Sequence, residues 1–286
     1  MDYIKLMRPK HYIKNLLIFL PLVFSGNFLN LTMLSHVILA FFAFNFSASS
    51  VYIINDIKDK EKDKLHKKKK DRPIASGRVK VSNAIIMAII LFAISLCFQY
   101  FASRETTIMS FLYILVYILI NLLYSFGLKN LPLVDIVILV SGFLIRVLYG
   151  ASIIGVPISC WLYLTIISGA FYLGLGKRRN EIKKGTDTRN VLKYYNQEFL
   201  DKNMYVHLAV SIVFYALWTV APETTNKSNN LLIWTVPVII IILMKYSLDI
   251  ENDSFADPTD VVFSDKILMF FITAYIVFVM SIIYLF

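Results

Sequence analysis

Windows of about twenty mostly apolar residues recur from one end of the sequence to the other, separated only by short polar breaks, and this repetition decides what the chain can become. With 58% of its residues hydrophobic, 17% charged and a mean hydropathy of +0.66, the chain carries more apolar surface than a water-soluble fold can hide. Inside a bilayer each backbone polar group needs an internal partner, so spans of this length are read as helices. Nine are expected, near residues 14–31, 33–54, 82–103, 106–127, 131–153, 158–176, 203–222, 229–247 and 267–286. The first two are separated only by Gly26, Asn27, Asn30 and Thr32. The first stretch lacks an A-x-A-like cleavage site and is expected to be retained as a helix. Cys97 and Cys160 lie in apolar segments without metal-ligand spacing and read as packing residues. The expected fold is an all-α polytopic membrane protein, with residues 1–286 as a single domain.

The net charge of +10 is unevenly placed. Residues 1–14 carry Lys5, Arg8, Lys10 and Lys14 against Asp2, residues 55–80 carry eleven Lys/Arg against five Asp/Glu, and residues 177–202 carry eight against four. With nine spans these regions share one side, while the other has Arg104, Glu105, Glu223 and Lys227. The positive-inside rule puts the charged side and the N-terminus in the cytoplasm, with cytoplasmic loops near 55–81, 177–202 and 248–266. For Lys67 to Lys70 the ordinary reading is topology and contact with anionic headgroups. A nucleic-acid partner is not expected, because the basic residues lie between spans without a binding module. The loop at 248–265 holds Asp249, Glu251, Asp253, Asp257, Asp260 and Asp265 without one basic residue. Asp257 to Asp260 could cap a pocket or contact a sugar; a solvated loop is the plainer reading.

At the end of the second span, residues 55–63 read Asn-Asp-Ile-Lys-Asp-Lys-Glu-Lys-Asp, placing Asp56, Asp59 and Asp63 at i, i+3 and i+7. If the helix continues, the three point the same way and repel one another. A divalent cation resolves that cost, and Mg²⁺ in particular takes hard oxygen ligands from a few carboxylates and substrate phosphates. The competing reading is a solvated helix end with Lys58, Lys60, Lys62 and Lys64 interleaved. An EF-hand loop fits poorly, since its Gly and terminal Glu are missing. Asn55 can orient a carboxylate or a phosphate oxygen. Downstream, Arg72-Pro73-Ile74-Ala75-Ser76-Gly77 is a turn-rich close to the loop. Arg72 there can clamp a phosphate or simply flank the membrane.

Asn55 to Asp63 resembles the NDxxDxxxD motif of the UbiA superfamily of intramembrane prenyltransferases, and Arg72 to Gly77 also resembles that family. The resemblance extends to Arg8-Pro9-Lys10-His11-Tyr12-Ile13-Lys14-Asn15, to Tyr124-Ser125 through Lys129, and to Asp135 with Gly142-Phe143-Leu144-Ile145-Arg146. It implies a helix bundle around a central cavity open to the cytoplasm, with Mg²⁺ on Asp56, Asp59 and Asp63. Members that use a prenyl diphosphate carry a second Asp-rich motif after the sixth span. Here that stretch is Lys177-Arg178-Arg179-Asn180-Glu181, and the tyrosine expected four residues before Lys177 is Leu173, with Tyr172 one place earlier. The chain is therefore most similar to the decaprenyl-phosphate phosphoribosyltransferase branch. The basic cluster also has its plainer reading as a topological charge.

The resemblance implies transfer of 5-phosphoribose from phosphoribosyl pyrophosphate to a polyprenyl phosphate for cell-envelope glycan synthesis, in a bacterial inner membrane. A phosphate monoester is already an anionic nucleophile, so no general base is required. His11, His36, His66 and His207 show no convincing carboxylate pairing. The expected substrate-binding residues are Lys14, Asn15, Asn55, Arg72, Tyr124, Lys129, Arg146, Lys177, Arg178 and Glu181. Arg146 lies midway in the fifth span, where an arginine is costly unless it faces a partner or cavity; with Asp135 it is expected to line the cavity. The alternatives are a prenyltransferase using a prenyl diphosphate and, from another class, a transporter or scaffold.

Overall fold

The computed structural model describes residues 2–66, 69–103, 107–185, 190–252 and 258–285, and among them no strand occurs. Lys67, Lys68, Arg104, Glu105, Asp253 and Asp257, and the side chain of Lys227, lie outside what is described. The helices are α1 (Asp2–Met7), α2 (Leu20–Phe24), α3 (Leu31–Lys58), α4 (Lys60–Lys64), α5 (Val81–Ala102), α6 (Thr107–Phe126), α7 (Val134–Ile154), α8 (Cys160–Lys184), α9 (Gln197–Thr219), α10 (Pro222–Ser228), α11 (Val236–Asn252), α12 (Pro258–Ser264) and α13 (Lys266–Leu285). Tighter 3₁₀ segments cover Pro9–Phe19, Lys69–Asp71, Leu128–Asn130, Asn190–Tyr194 and Leu231–Thr235.

Among the described residues, six helices are long and apolar enough to cross a membrane: Leu31–Lys58, Val81–Ala102, Ile108–Phe126, Val134–Ile154, Leu231–Glu251 and Lys266–Leu285. The protein is an integral membrane protein. The expected spans 158–176 and 203–222 overlap most of α8 and α9, helices of 25 and 23 residues with more polar positions, running two residues ahead of α8 and three past the end of α9. The expected span 14–31 is not one helix. It runs as 3₁₀ to Phe19 and continues as α2 only to Phe24. Pro21, the second residue of α2, has no N–H to donate, and Gly26, with φ +75, turns the chain. Asn30 then caps α3, its side-chain oxygen accepting from the N–H of Thr32 and Met33 at 3.1 and 3.2 Å.

The chain divides into two compact units. The first comprises Met1–Lys129 and Ile145–Val156, the second Asn130–Leu144 and Pro157–Phe286. In the first unit α3 packs along α5. The approach uses small polar residues: the Ser47 hydroxyl meets that of Ser95 at 2.6 Å, and Ser95 donates to the Ala43 carbonyl at 2.7 Å. Aromatic and aliphatic side chains around Phe44, Tyr117 and Tyr149 fill the rest. At 28 residues and about 1.5 Å per residue, α3 is about 42 Å long, more than the roughly 30 Å hydrocarbon core. Its carboxylate-bearing end can therefore leave the apolar layer without breaking the helix. In the second unit α8 packs along α9, around a core that includes Ile136, Tyr172, Leu175, Leu200, Met204 and Ile250.

Gly150 sets the closest approach in the first unit. A Cβ there would lie 2.0 Å from the Ile18 carbonyl oxygen and 2.8 Å from its carbon, so the Pro9–Phe19 segment and α7 touch backbone to backbone. Gly150→Ala should lower thermal stability in detergent by on the order of 1–3 kcal/mol. Gly169→Ala, at a helical glycine where an added Cβ would meet nothing within 4 Å, should be neutral or mildly stabilising. Melting curves of the two variants, side by side, check the contrast.

Candidate active site

The carboxylate loop begins on the last turn of α3. The chain keeps helical bonding through Asp59, whose N–H donates to the Asn55 carbonyl at 2.9 Å, while the Asp63 N–H donates to the Asp59 carbonyl at 2.8 Å. At about 100° per residue, Asp63 comes back to within roughly 20° of Asp56, and Asp59 lies about 60° away. The side chains divide accordingly. A single nitrogen of Arg72, Nη1, donates to Asp56 Oδ1 at 3.0 Å and to Asp63 Oδ2 at 2.7 Å. Lys129 Nζ instead holds both oxygens of Asp59, at 2.7 and 2.8 Å. Arg8 donates through Nη2 to Asp56 Oδ1, the same oxygen that Arg72 uses. Asp56 and Asp63 are buried, while the cations that reach them stay partly exposed, so these charge-assisted bonds are sheltered at the carboxylate end only. Ser125 donates to Asn55 Oδ1 at 2.9 Å, fixing the amide.

Arg72 reaches both carboxylates because the segment after it is a closed turn. The Ser76 N–H donates to the Arg72 carbonyl at 2.9 Å and the Val79 N–H to the Pro73 carbonyl at 2.9 Å. Gly77 takes the left-handed φ of +78 that such a turn needs, and Ile74 plugs the turn into the core. Lys69 and Lys70 form a 3₁₀ turn just before it.

Among the described residues no three His, Cys, Asp or Glu side chains converge into a group that could hold a metal ion. The donor set nevertheless suits a hard divalent cation. Asp56 and Asp63 already share one cationic nitrogen, and every donor is a carboxylate oxygen.

Deeper in the first unit, Arg146 donates through Nε to Asn15 Oδ1 at 2.5 Å and through Nη2 to the Tyr117 hydroxyl at 3.4 Å. Its guanidinium lies 5.2 Å from the ring centres of Phe44 and Tyr117. Asn15 donates in turn to Asn45 Oδ1. Lys14 and Tyr124 are half-buried, on the Pro9–Phe19 segment and on α6.

The basic stretch of the second unit lies on α8, and its arginines are committed to carboxylates. Arg178, with 0% exposure, donates through Nε to Asp135 Oδ2 at 2.5 Å and through Nη1 to Glu181 Oε2 at 2.6 Å. The Tyr195 hydroxyl donates to the other Asp135 oxygen at 2.5 Å and accepts from the Leu133 N–H at 2.6 Å. Burial, and then the Asp135 carboxylate beside it, push the Tyr195 hydroxyl up to about 12, so it remains a donor near neutrality. Arg179 pairs with Asp201 and, at 2.6 Å, with Glu251, which also accepts from Lys183 at 3.0 Å. Lys177 is half-buried on the same helix. The contacts of Arg146 described above lie within the first unit and those of Asp135 within the second. Part of the acidic 248–265 stretch is consumed by ion pairs, since Lys245 holds Asp249 and, at 2.5 Å, Asp265, while Asp260 is exposed.

Residues 17–263 match the family model described as the UbiA prenyltransferase family. The chain belongs to the UbiA prenyltransferase family. Similar relatives include the decaprenyl-phosphate phosphoribosyltransferase of Corynebacterium glutamicum, 32% identical over 99% of this chain and 86% of that one. The enzyme of the same description from Mycolicibacterium smegmatis is 32% identical over 96% and 89%. Among solved structures, a UbiA homologue from Archaeoglobus fulgidus bound to GPP and Mg²⁺ superposes with a TM-score of 0.73 at 21% identity, covering 98% of this chain and 100% of that one. This similarity shows a UbiA fold.

Within this UbiA chain, Arg8, Ser125, Tyr195 and Asp201 make site or near-site contacts that the sequence does not single out. Arg8 and Ser125 at least lie in segments that carry the family resemblance; nothing local marks the other two, while Glu251 belongs to the acidic stretch at 248–265. Asp135→Asn removes one of the two carboxylates that hold the wholly buried Arg178, leaving Glu181, and the loss of a charge-assisted bond there costs about 1.5–3 kcal/mol. Thermal unfolding should show that loss for Asp135→Asn and a much smaller one for Asp201→Asn, whose side chain is 25% exposed.

Proposed function

We propose that this UbiA enzyme transfers 5-phosphoribose from phosphoribosyl pyrophosphate to a polyprenyl phosphate, releasing pyrophosphate, as a step in cell-envelope glycan synthesis. The observation that carries the reading is the asymmetry between the two motif regions. The first unit has three carboxylates at Asp56, Asp59 and Asp63, whereas Lys177–Glu181 offers Glu181 alone, already bonded to Arg178. A prenyl diphosphate held between two acidic motifs would ask for a second carboxylate cluster there. The decaprenyl-phosphate phosphoribosyltransferases that match over nearly the whole chain support the same choice.

Asp56, Asp59 and Asp63 would hold Mg²⁺, with Asn55 beside them. When bound, that ion neutralises charge on the diphosphate as it leaves. Arg72 and Lys129, released from the carboxylates, bind phosphate oxygens. Lys177 serves the remaining phosphates, with Arg178 and Glu181, bonded to each other and to Asp135, supporting the helix end that carries it, and Lys14, Asn15, Tyr124 and Arg146 complete the substrate-binding set. An oxygen of the lipid phosphate attacks C1 of the ribose as the bond from C1 to the pyrophosphate oxygen breaks. The attacking oxygen is anionic, so no base has to take a proton. The whole of 1–286 works as one domain with nine crossings. Its N-terminus and motif loops lie on the cytoplasmic side of a bacterial inner membrane, where a central cavity opens.

The test is direct. Purified protein with Mg²⁺, phosphoribosyl pyrophosphate and decaprenyl phosphate should yield a phosphoribosyl lipid and pyrophosphate. Chelation should abolish both products, and Asp56→Asn or Asp63→Asn should cut the rate at least about 100-fold. Product from a prenyl diphosphate and an aromatic acceptor, with none from the phosphoribosyl donor, would refute the reading in favour of prenyl transfer.

A further inference from the structure

Arg8 has no role in the reaction as set out above, yet it occupies the most contested atom of the acidic motif. Asp56 Oδ1 accepts from two guanidiniums at once, Arg8 Nη2 and Arg72 Nη1. Arg72 has a second carboxylate, Asp63, at 2.7 Å. Arg8 has the face of the Tyr52 ring, 5.1 Å from its guanidinium carbon. Its backbone is left-handed, with φ 54 and ψ 57, a region a non-glycine residue enters only when its surroundings require it. The neighbouring bonds supply the requirement: the Arg8 N–H donates to the Lys5 carbonyl at 3.3 Å, and the Arg8 carbonyl accepts from the His11 N–H at 2.9 Å. The turn delivers the guanidinium to Asp56 from the N-terminal segment, 48 residues away in sequence.

Charge counting gives this contact a meaning. Asp56, Asp59 and Asp63 are balanced one for one by Arg8, Arg72 and Lys129. The cluster is neutral as it stands, and adding a divalent cation leaves an excess of two positive charges. A metal-bound diphosphate supplies the compensating negative charge, provided the displaced cations stay close enough to meet it. Tyr52 keeps Arg8 at hand when its carboxylate is taken.

We propose that Arg8 is a placeholder cation: it holds Asp56 until the divalent ion takes that carboxylate, and then donates to an oxygen of the metal-bound diphosphate. The proposal rests on the reading that Asp56 is a metal ligand of this transferase. It makes Arg8 a competitor of the metal and a partner of the diphosphate, and the two effects carry opposite signs.

Isothermal titration of the full-length protein in nanodiscs separates them, using Mg²⁺ or Mn²⁺ alone and then inorganic pyrophosphate at saturating Mg²⁺. Arg8→Gln should bind the metal alone about 10-fold more tightly, because a like charge has left a partly buried site. It should bind pyrophosphate about 10- to 100-fold more weakly, having lost a charge-assisted hydrogen bond. Arg8→Lys, which keeps the charge without the fork, should be close to wild type for the metal and intermediate for pyrophosphate. Weakening of both ligands by Arg8→Gln would mean a purely structural role, and unchanged pyrophosphate affinity would mean no diphosphate contact; either overturns the proposal. Pyrophosphate is common to any diphosphate donor. A wild-type chain that binds it with Mg²⁺ but makes no phosphoribosyl lipid would therefore fail the functional reading while the Arg8 result still stood.

Discussion

The bond from Arg72 Nη1 to both Asp56 and Asp63 expresses the constraint that governs this protein, which is that an ionised group withdrawn from water must bring its counter-charge with it. In the first unit that requirement ties the end of α3 to the Arg72 turn, to the N-terminal segment through Arg8, and to the end of α6 through Lys129. In the second it ties α7 to α8 through Asp135 and Arg178, and α8 to α9 and α11 through Arg179, Asp201 and Glu251. Each unit is thus closed by a set of ion pairs as well as by apolar packing.

The two sets differ in what can be done with them. Side chains of Arg8, Arg72, Asp59 and Lys129 retain between 17% and 28% exposure, so water and ions have access and the pairs can be exchanged. Arg178 and Asp135 have none. Breaking that pair would leave Arg178 with Glu181 alone and Asp135 with only the Tyr195 hydroxyl in an apolar medium, so it behaves as a fixed support beneath the basic stretch. The same chemistry, an arginine against an aspartate, is partly open to solvent in one unit and sealed in the other.

Much of this was legible in the sequence, and the boundaries of legibility are physical. Apolar windows announced the membrane helices because hydrocarbon thickness imposes a length that no other environment does. Asp56, Asp59 and Asp63 were visible because local spacing placed them on one helix end. Their grouping was only half visible, since the i, i+7 pair shares a cation while Asp59 goes its own way to Lys129. The span expected at 14–31 failed to be one helix because hydropathy is blind to what Pro21 and Gly26 do to the backbone. The partners of Asp135 were hidden for a different reason: Arg178 lies 43 residues on and Tyr195 lies 60, and nothing in the local pattern reports such a meeting.

Gly150 carries a consequence of another kind. Because α7 meets the Pro9–Phe19 segment through main-chain atoms at Ile18, the peptide framework limits how closely that segment can approach α7, whatever the side chains around it. It works as a mechanical datum, a reference surface from which the polar residues just before it are measured. An exposed side chain on the segment, such as Leu16, can then change in size without moving Asn15, whereas the buried Ile18 cannot.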